Sequence, residues 1–214
     1  MHKKTFFIIL CSSLVILGLK FQFLAPVEKT QKLLTPLELA GLYIYQREGC
    51  MHCHSRVIRP LRDELQRYGN HSISSDLAFF KDQKSNHIRI GPDLANVGHK
   101  YSDAWLSQHF QNPRSHITIS NMPAYPHLNR ALNTSNIDSW MQQHDYPKAY
   151  IAHALNDIPA QLDPDHEGVE GLTTRYQNPS KNIQIRNFDQ QDGIATELDA
   201  LISFLQTLDT SSEL

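Results

Sequence analysis

The 214-residue sequence has only three cysteines, and this scarcity limits what the chain can be. Three cysteines are too few for the disulfide framework of a small secreted domain, and one of them, Cys11, lies far from the other two. Basic residues are not in excess, because 20 Lys and Arg face 22 Asp and Glu. A net charge of −2 lacks the polybasic signature of nucleic-acid binding, so we expect no nucleic-acid partner.

Residues 1–25 carry an apolar run that predicts a membrane anchor. Thr5 to Ala25 spans 21 residues, which is about 31 Å as a helix and matches a bilayer core. A cleaved signal peptide is the alternative, but Phe23 occupies a recognition position that prefers a small residue. The pair Lys3-Lys4 before the run favours a cytoplasmic N-terminus. We therefore predict a cytoplasmic tip and one transmembrane helix here, with the rest of the chain on the opposite side of the membrane.

Strand patterns are scarce, and the remaining chain is predicted to be mainly α. Residues 26–34 form a predicted linker and 35–214 a globular domain. Capping signals at Thr35 and Thr196 begin its first and last helices, the first of which runs to about Arg47. Shorter helices are predicted over 102–110 and over parts of 135–144 and 148–156. The segment 157–193 is rich in Asp, Gly, Asn and Pro, and we predict a long surface loop there.

The most informative motif is Cys50-Met51-His52-Cys53-His54. A thiol–disulfide exchange site normally follows an apolar strand, whereas a predicted helix precedes this motif. Structural zinc needs four ligands, and no second paired motif stands at a conventional spacing. Covalent c-type haem is the third and favoured interpretation. In it, Cys50 and Cys53 form thioethers with the macrocycle, and His54 reaches the iron as its proximal ligand.

An electron-carrying haem iron is expected to have a second axial ligand, and methionine there raises its potential. Of the four methionines, Met1 is the initiator and Met51 lies inside the attachment loop. Met122 lies in a rigid Asn-Met-Pro segment, whereas Met141 stands in a predicted helix, where core packing is its expected role. We therefore predict Met122 as the ligand. Three histidines remain as alternatives: His99, His109 and His127.

The segment Gly91-Pro92-Asp93-Leu94 provides a possible partner for the proximal histidine. The carbonyl group of Pro92 can accept the imidazole N–H of His54 and fix the orientation of the ring. Taken alone, this tetrapeptide is only a weak turn signal. Arg59 has two interpretations, either a contact with a haem propionate or a place on a solvated helical face.

Together, these features resemble a class I cytochrome c domain. More specifically, the chain is similar to the membrane-anchored mono-haem cytochrome c subunit (subunit II) of cbb3-type cytochrome c oxidases. The resemblance covers most of residues 36–128, together with 196–208 and the N-terminal anchor. It is carried by the blocks IYQREGCMHCHS, IRPLRDELQRYG, GPDLANVGHKYSDAW and NPRSHITISNMPAYPHL. Residues 79–90 depart from the family pattern.

The resemblance implies one covalent haem c, held by Cys50 and Cys53, with His54 and Met122 as axial ligands. It also implies that Gly41 and Tyr45 mark the point where the first helix crosses the last. In this family the subunit is embedded in the bacterial inner membrane with its haem domain in the periplasm. It relays electrons from a dihaem cytochrome c subunit to the haem–copper catalytic subunit. A free-standing, membrane-tethered cytochrome c that serves another reductase is the alternative, and a peroxidase-like enzyme is disfavoured by the Met122 segment.

Overall fold

The structure is a computed structural model that describes residues 33–72, 89–98, 100–177, 183–191 and 193–208. All of them belong to one unit of the chain, Lys32–Leu214. The predicted anchor over residues 1–25, with Cys11, lies outside the described residues, as does most of the predicted linker at 26–34. Within the described ranges, no helix has both the length and the apolar character needed to cross a membrane.

The described part of the chain is mainly helical, as predicted. Over these ranges no strand forms, and β-type pairing is limited to one isolated bridge between Ala131 and Thr196. The eight α-helices described are α1 (Pro36–Arg47), α2 (Arg62–Tyr68), α3 (Asp103–Gln111), α4 (Ile137–Gln143), α5 (Lys148–Ile151), α6 (Ala154–Leu162), α7 (Val169–Tyr176) and α8 (Glu197–Gln206).

The first and last helices begin at the predicted capping residues. The Thr35 side chain accepts a hydrogen bond from the Glu38 backbone N–H, and the Glu38 carboxylate accepts one from the Thr35 N–H at 2.8 Å. Thr196 and Asp199 form the same reciprocal pair at the start of α8. Each box satisfies backbone donors that have no partner inside the helix, which explains why both helices begin where they do.

Helices α1 and α8 form the most extensive helix pair of the described chain and cross at Gly41. A Cβ added to Gly41 would lie 1.9 Å from the backbone oxygen of Ala200 and 2.6 Å from Cβ of Phe204, so only glycine permits this approach. One turn further along α1, the rings of Tyr45 and Phe204 are 5.7 Å apart. The predicted crossing at Gly41 and Tyr45 is therefore confirmed.

The middle helices also follow the sequence prediction. Ser102 caps α3 through a hydrogen bond from the Trp105 N–H, and the helix ends at Gln111, with Asn112 as its C-cap before Pro113. Helices α4 and α5 lie inside the segments predicted for them. Met141 is fully buried in α4, so its predicted role in core packing is confirmed.

The surface loop predicted over 157–193 is wrong for much of its length. The end of α6 and the whole of α7 are helical, and Leu172 is completely buried. The loop was predicted from polar residues, but in the folded chain some of these residues pair with one another. Asp157 on α6 is buried and forms an ion pair with Arg175 on α7, so charges that indicated solvent exposure instead join two helices.

Helix α6 is joined to the core by hydrogen bonds from its last turn. The Gln161 side chain is buried, accepts a hydrogen bond from the hydroxyl group of Thr35, and also contacts Glu38. Pro159 lies inside α6, where the missing N–H removes one helical hydrogen bond without ending the helix. The segment is therefore an integral part of the packed domain.

Candidate functional site

The cysteine motif lies on a tight turn directly after α1. The helix ends at Arg47, and Gly49 then adopts a left-handed conformation with φ of 71°, which glycine allows at little cost. Cys50–His52 form a 3-10 turn, closed by the bonds Cys53 N to Cys50 O at 3.1 Å and His54 N to Cys50 O at 2.9 Å. Both cysteines are half-buried, and no disulfide joins them. The turn thus brings two thiols and an imidazole together within five residues.

His54 is held through one nitrogen by the residue predicted for that task. Its Nδ1 lies 2.9 Å from the carbonyl oxygen of Pro92. Because a carbonyl group can only accept, Nδ1 must carry the proton, and Nε2 of the neutral ring then has the lone pair that a metal requires. Burial lowers the pKa of His54, against the opposing effect of the Pro92 bond, so the ring is neutral at neutral pH.

Backbone contacts on both sides fix the position of this imidazole. The Gly91 N–H donates to the carbonyl oxygen of Cys53 at 2.9 Å, which joins the segment that contains Pro92 to the cysteine turn. The hydroxyl group of Tyr45 donates to the carbonyl oxygen of His54 at 3.1 Å. The ring orientation is therefore determined by α1, the cysteine turn and the Gly91-Pro92 segment together.

A buried charge cluster supports this side of the site, and the sequence analysis did not predict it. The Ser55 hydroxyl donates to Asp93 at 2.6 Å, and Arg89 contacts Asp93 at 3.0 Å and Glu64 at 2.9 Å. The hydrogen bond from Arg89 lowers the pKa of Glu64 well below its ordinary value, against the opposing effect of burial. The local signal in the sequence was the pair Arg89 and Asp93, four residues apart across the Gly91-Pro92 turn, whereas Glu64 lies 25 residues from Arg89.

Arg59 lies at the edge of this cluster. Its backbone N–H donates to Glu64 at 2.8 Å and its guanidinium group forms an ion pair with the same carboxylate, while half of its side chain remains exposed. Glu64 thus receives both Arg59 and Arg89. The predicted contact between Arg59 and a haem propionate stays a prediction.

The segment that contains Met122 is attached near the cysteine turn. The Tyr125 N–H donates to the Phe110 carbonyl oxygen at 2.7 Å, and Met122 packs against the core as a partly buried side chain. Burial, with smaller contributions from neighbouring Cys50 and Glu48, raises the pKa of the Tyr125 hydroxyl to about 12. The Tyr125 ring lies 5.9 Å from that of His127, whose Nε2 is 2.9 Å from Glu48, two residues before Cys50.

The three alternative histidine ligands have different environments. His99 lies outside the described residues. His127 contacts the carboxylate of Glu48 at 2.9 Å, an interaction that occupies its Nε2. His109 stacks on Trp105 with ring centroids 4.6 Å apart. Burial lowers the pKa of His109, and neighbouring His116 and His54 lower it further.

The site residues fit a haem better than they fit a thiol catalyst or a zinc ion. Burial raises the pKa of the Cys50 thiol to about 12, the opposite of what a reactive thiolate needs. Over the described ranges, no group of three His, Cys, Asp or Glu residues could hold a metal ion. Buried Nδ1 of His109 and Nε2 of His116 have no hydrogen-bond partner, which fits a protein built to enclose a further polar group.

Comparison with known proteins agrees with this assignment. The family model described as "Cytochrome C oxidase, mono-heme subunit/FixO" matches residues 1–212. No curated protein matches the chain.

Proposed function

Because the chain belongs to the FixO family of mono-haem cytochrome c oxidase subunits, we propose that it is the electron-transfer subunit of a cbb3-type haem–copper oxidase. In this role it relays electrons from a dihaem cytochrome c subunit to the catalytic subunit that reduces oxygen. The observation that supports the role most directly is the contact between His54 Nδ1 and the Pro92 carbonyl. This contact orients an imidazole for iron immediately after a cysteine pair spaced for haem attachment.

Each site residue has a defined task in this proposal. Cys50 and Cys53 hold one haem c through thioether bonds, and His54 and Met122 provide its axial ligands. When bound, the haem supplies reversible one-electron chemistry at its iron. Two protein ligands leave no coordination position for oxygen or peroxide, so oxygen reduction takes place on another chain. The crossing of α1 and α8 at Gly41 supports a class I cytochrome c fold for the domain.

The predicted N-terminal anchor completes the proposal. A single transmembrane helix within residues 1–25 would hold the chain in the bacterial inner membrane with its N-terminus in the cytoplasm. The haem domain would then lie in the periplasm, on the same side as the dihaem donor. This arrangement keeps the carrier next to its partners without free diffusion, and raises its effective concentration at both.

Covalent attachment is tested by haem staining of the full-length chain after denaturing electrophoresis. Cys50→Ser and Cys53→Ser are each expected to weaken or abolish the stain, because each removes one thioether. Cys11→Ser is the matched control, since it removes a cysteine outside the motif, and it should keep the wild-type stain. A wild-type band without stain would contradict covalent attachment.

Axial ligation is tested by the absorption and paramagnetic resonance spectra of the purified protein. Met122→Ala is expected to convert low-spin six-coordinate iron to a form with a high-spin signal. Met141→Leu is the control, because Met141 is a fully buried core side chain and leucine preserves the apolar volume. Iron that is already five-coordinate in the wild type would contradict the electron-carrier role.

The partner complex is tested by affinity purification of the C-terminally tagged chain in mild detergent. Co-purification with a polytopic haem–copper subunit and a dihaem cytochrome c is the expected result. If the chain is isolated alone with covalent six-coordinate haem, the cytochrome assignment holds and the oxidase assignment fails. The chain would then be a membrane-tethered cytochrome that serves another reductase.

A further inference from the structure

A chain of contacts between acidic and basic side chains joins the segment after Met122 to the cysteine turn. His127 Nε2 lies 2.9 Å from Glu48 Oε2, and Glu48 Oε1 lies 2.8 Å from Arg47. Arg47 in turn contacts Glu197 at 2.8 Å, and Glu197 also contacts Arg130 at 2.9 Å. Neither of the two acids is fully exposed, and each lies between two basic groups.

The members of this chain come from three separate parts of the fold. Arg47 and Glu48 form the end of α1, and Glu48 precedes Cys50 by two residues. Glu197 begins α8. His127 and Arg130 lie downstream of Met122, on and immediately after the 3-10 turn Pro126–Asn129. The contacts therefore tie the segment downstream of Met122 to the residues immediately before the cysteine turn.

The Met122 segment has few hydrogen bonds of its own. Pro123 and Pro126 have no N–H to donate, and the Met122 N–H bonds locally to the Ser120 hydroxyl at 3.2 Å. Downstream, the Tyr125 N–H is bound to Phe110 and the His127 side chain to Glu48. Because a Met–iron bond depends on the position of its segment, each of these two attachments affects how firmly the sulfur is held.

We propose that Glu48 and His127 act as positioning residues, forming a clamp that keeps Met122 on the haem iron. The clamp closes the Met122 segment over the cysteine turn, so an external ligand must break it to reach the iron. The inference rests on the proposed haem ligation. It assigns to Glu48 and His127 a task that is separate from covalent attachment and from proximal ligation.

The test measures imidazole binding to the ferric, full-length protein in detergent, because imidazole binds only when Met122 leaves the iron. The variants are Glu48→Gln, His127→Ala and the double variant, with the exposed Glu170→Gln on α7 as the matched control. A partly exposed hydrogen bond or ion pair is worth up to about 1 kcal/mol, so each single variant should increase the apparent imidazole affinity about threefold to fivefold. The increase in imidazole affinity in the double variant should be smaller than the product of the two single-variant increases, because both substitutions break the same contact.

The outcomes separate this inference from the proposed function. A wild-type protein without the near-infrared charge-transfer band of methionine-ligated ferric haem would contradict Met122 ligation itself. If that band is present but both single variants bind imidazole like the wild type, or their effects multiply in the double variant, the clamp is wrong and the ligation stands. If Glu48→Gln does not accumulate with haem, His127→Ala alone tests the clamp, because the half-exposed side chain of His127 can be removed without opening the core.

Discussion

Gly91 lies so close to the ring of His54 that a Cβ added to residue 91 would stand 2.3 Å from Cε1 and 2.7 Å from Nδ1. The same residue donates its N–H to the carbonyl oxygen of Cys53, and its neighbour Pro92 accepts from the imidazole. A short stretch of backbone thus packs against the ring and hydrogen-bonds to it. The plane of the His54 imidazole is set by this contact, and any side chain at residue 91 would displace it.

Gly91→Ala is therefore expected to displace His54 while leaving both cysteines in place. Haem staining should persist, because the thioethers do not depend on residue 91. The spectrum should show partial loss of low-spin iron, because the Nδ1 bond to Pro92 no longer orients the ring. Gly171→Ala on α7 is the control, since its added Cβ would meet only the guanidinium end of Arg175, at 3.1 Å, and touches none of the proposed site residues. A wild-type spectrum for Gly91→Ala would show that the imidazole is positioned by other contacts.

Gly41→Ala tests the crossing of α1 and α8. The added Cβ would overlap the backbone of Ala200, which cannot move away as a side chain can. Overpacking of this kind costs about 1–3 kcal/mol, so the free energy of unfolding should fall by that amount or more. Chemical denaturation of the haem-loaded chain, followed by circular dichroism, gives the value. Gly171→Ala serves again as the control, and an equal effect of the two substitutions would contradict the close approach at Gly41.

The parts of the fold that were predictable have local causes. The ends of α1 and α8 follow from capping boxes at Thr35 and Thr196, where neighbours three residues apart satisfy each other. Likewise, the cysteine turn and Pro92 were identified because their chemistry lies in short motifs. A local signal of this kind needs no knowledge of the tertiary structure, and the structure contains both capping boxes and the hydrogen bond between His54 and Pro92.

The parts that were missed depend on contacts between residues far apart in sequence. Helix α7 was read as a loop because its segment is rich in Asp, Gly, Asn and Pro, whereas the pairing of Arg175 with Asp157 on α6 joins residues 18 positions apart. The contact between Glu48 and His127 joins residues 79 positions apart. Sequence composition records the charges, but only the fold determines which of them meet.

Glu64 predicts how acid affects stability. Its pKa is lowered from an ordinary value of 4.5 by the hydrogen bond from Arg89, with burial opposing and Arg59 adding to the effect. Because the pKa is lowered in the folded state, ionised Glu64 stabilises the fold at pH values above its ordinary pKa. This stabilisation is lost progressively as the pH falls below that value. Glu64→Gln should therefore lower the free energy of unfolding at pH 7 and flatten its decline below pH 4.5. Denaturation at several pH values measures both, with Glu170→Gln as the control, and an unchanged slope would contradict the role of Glu64.

The last prediction concerns the ion pair between Asp157 on α6 and Arg175 on α7, in the segment for which the predicted loop was wrong. The Asp157 side chain is fully buried and that of Arg175 is 18% exposed. Removing one partner of a buried pair leaves an uncompensated charge, so Arg175→Met should lower the free energy of unfolding by about 3 kcal/mol. The double variant Asp157→Leu with Arg175→Met should recover much of this loss, because it replaces both charges with apolar groups. Neither residue belongs to the haem site, so the absorption spectrum of the folded variants should match that of the wild type. If Arg175→Met and the wild type have the same free energy of unfolding, the ion pair does not stabilise the packing of α7 against α6.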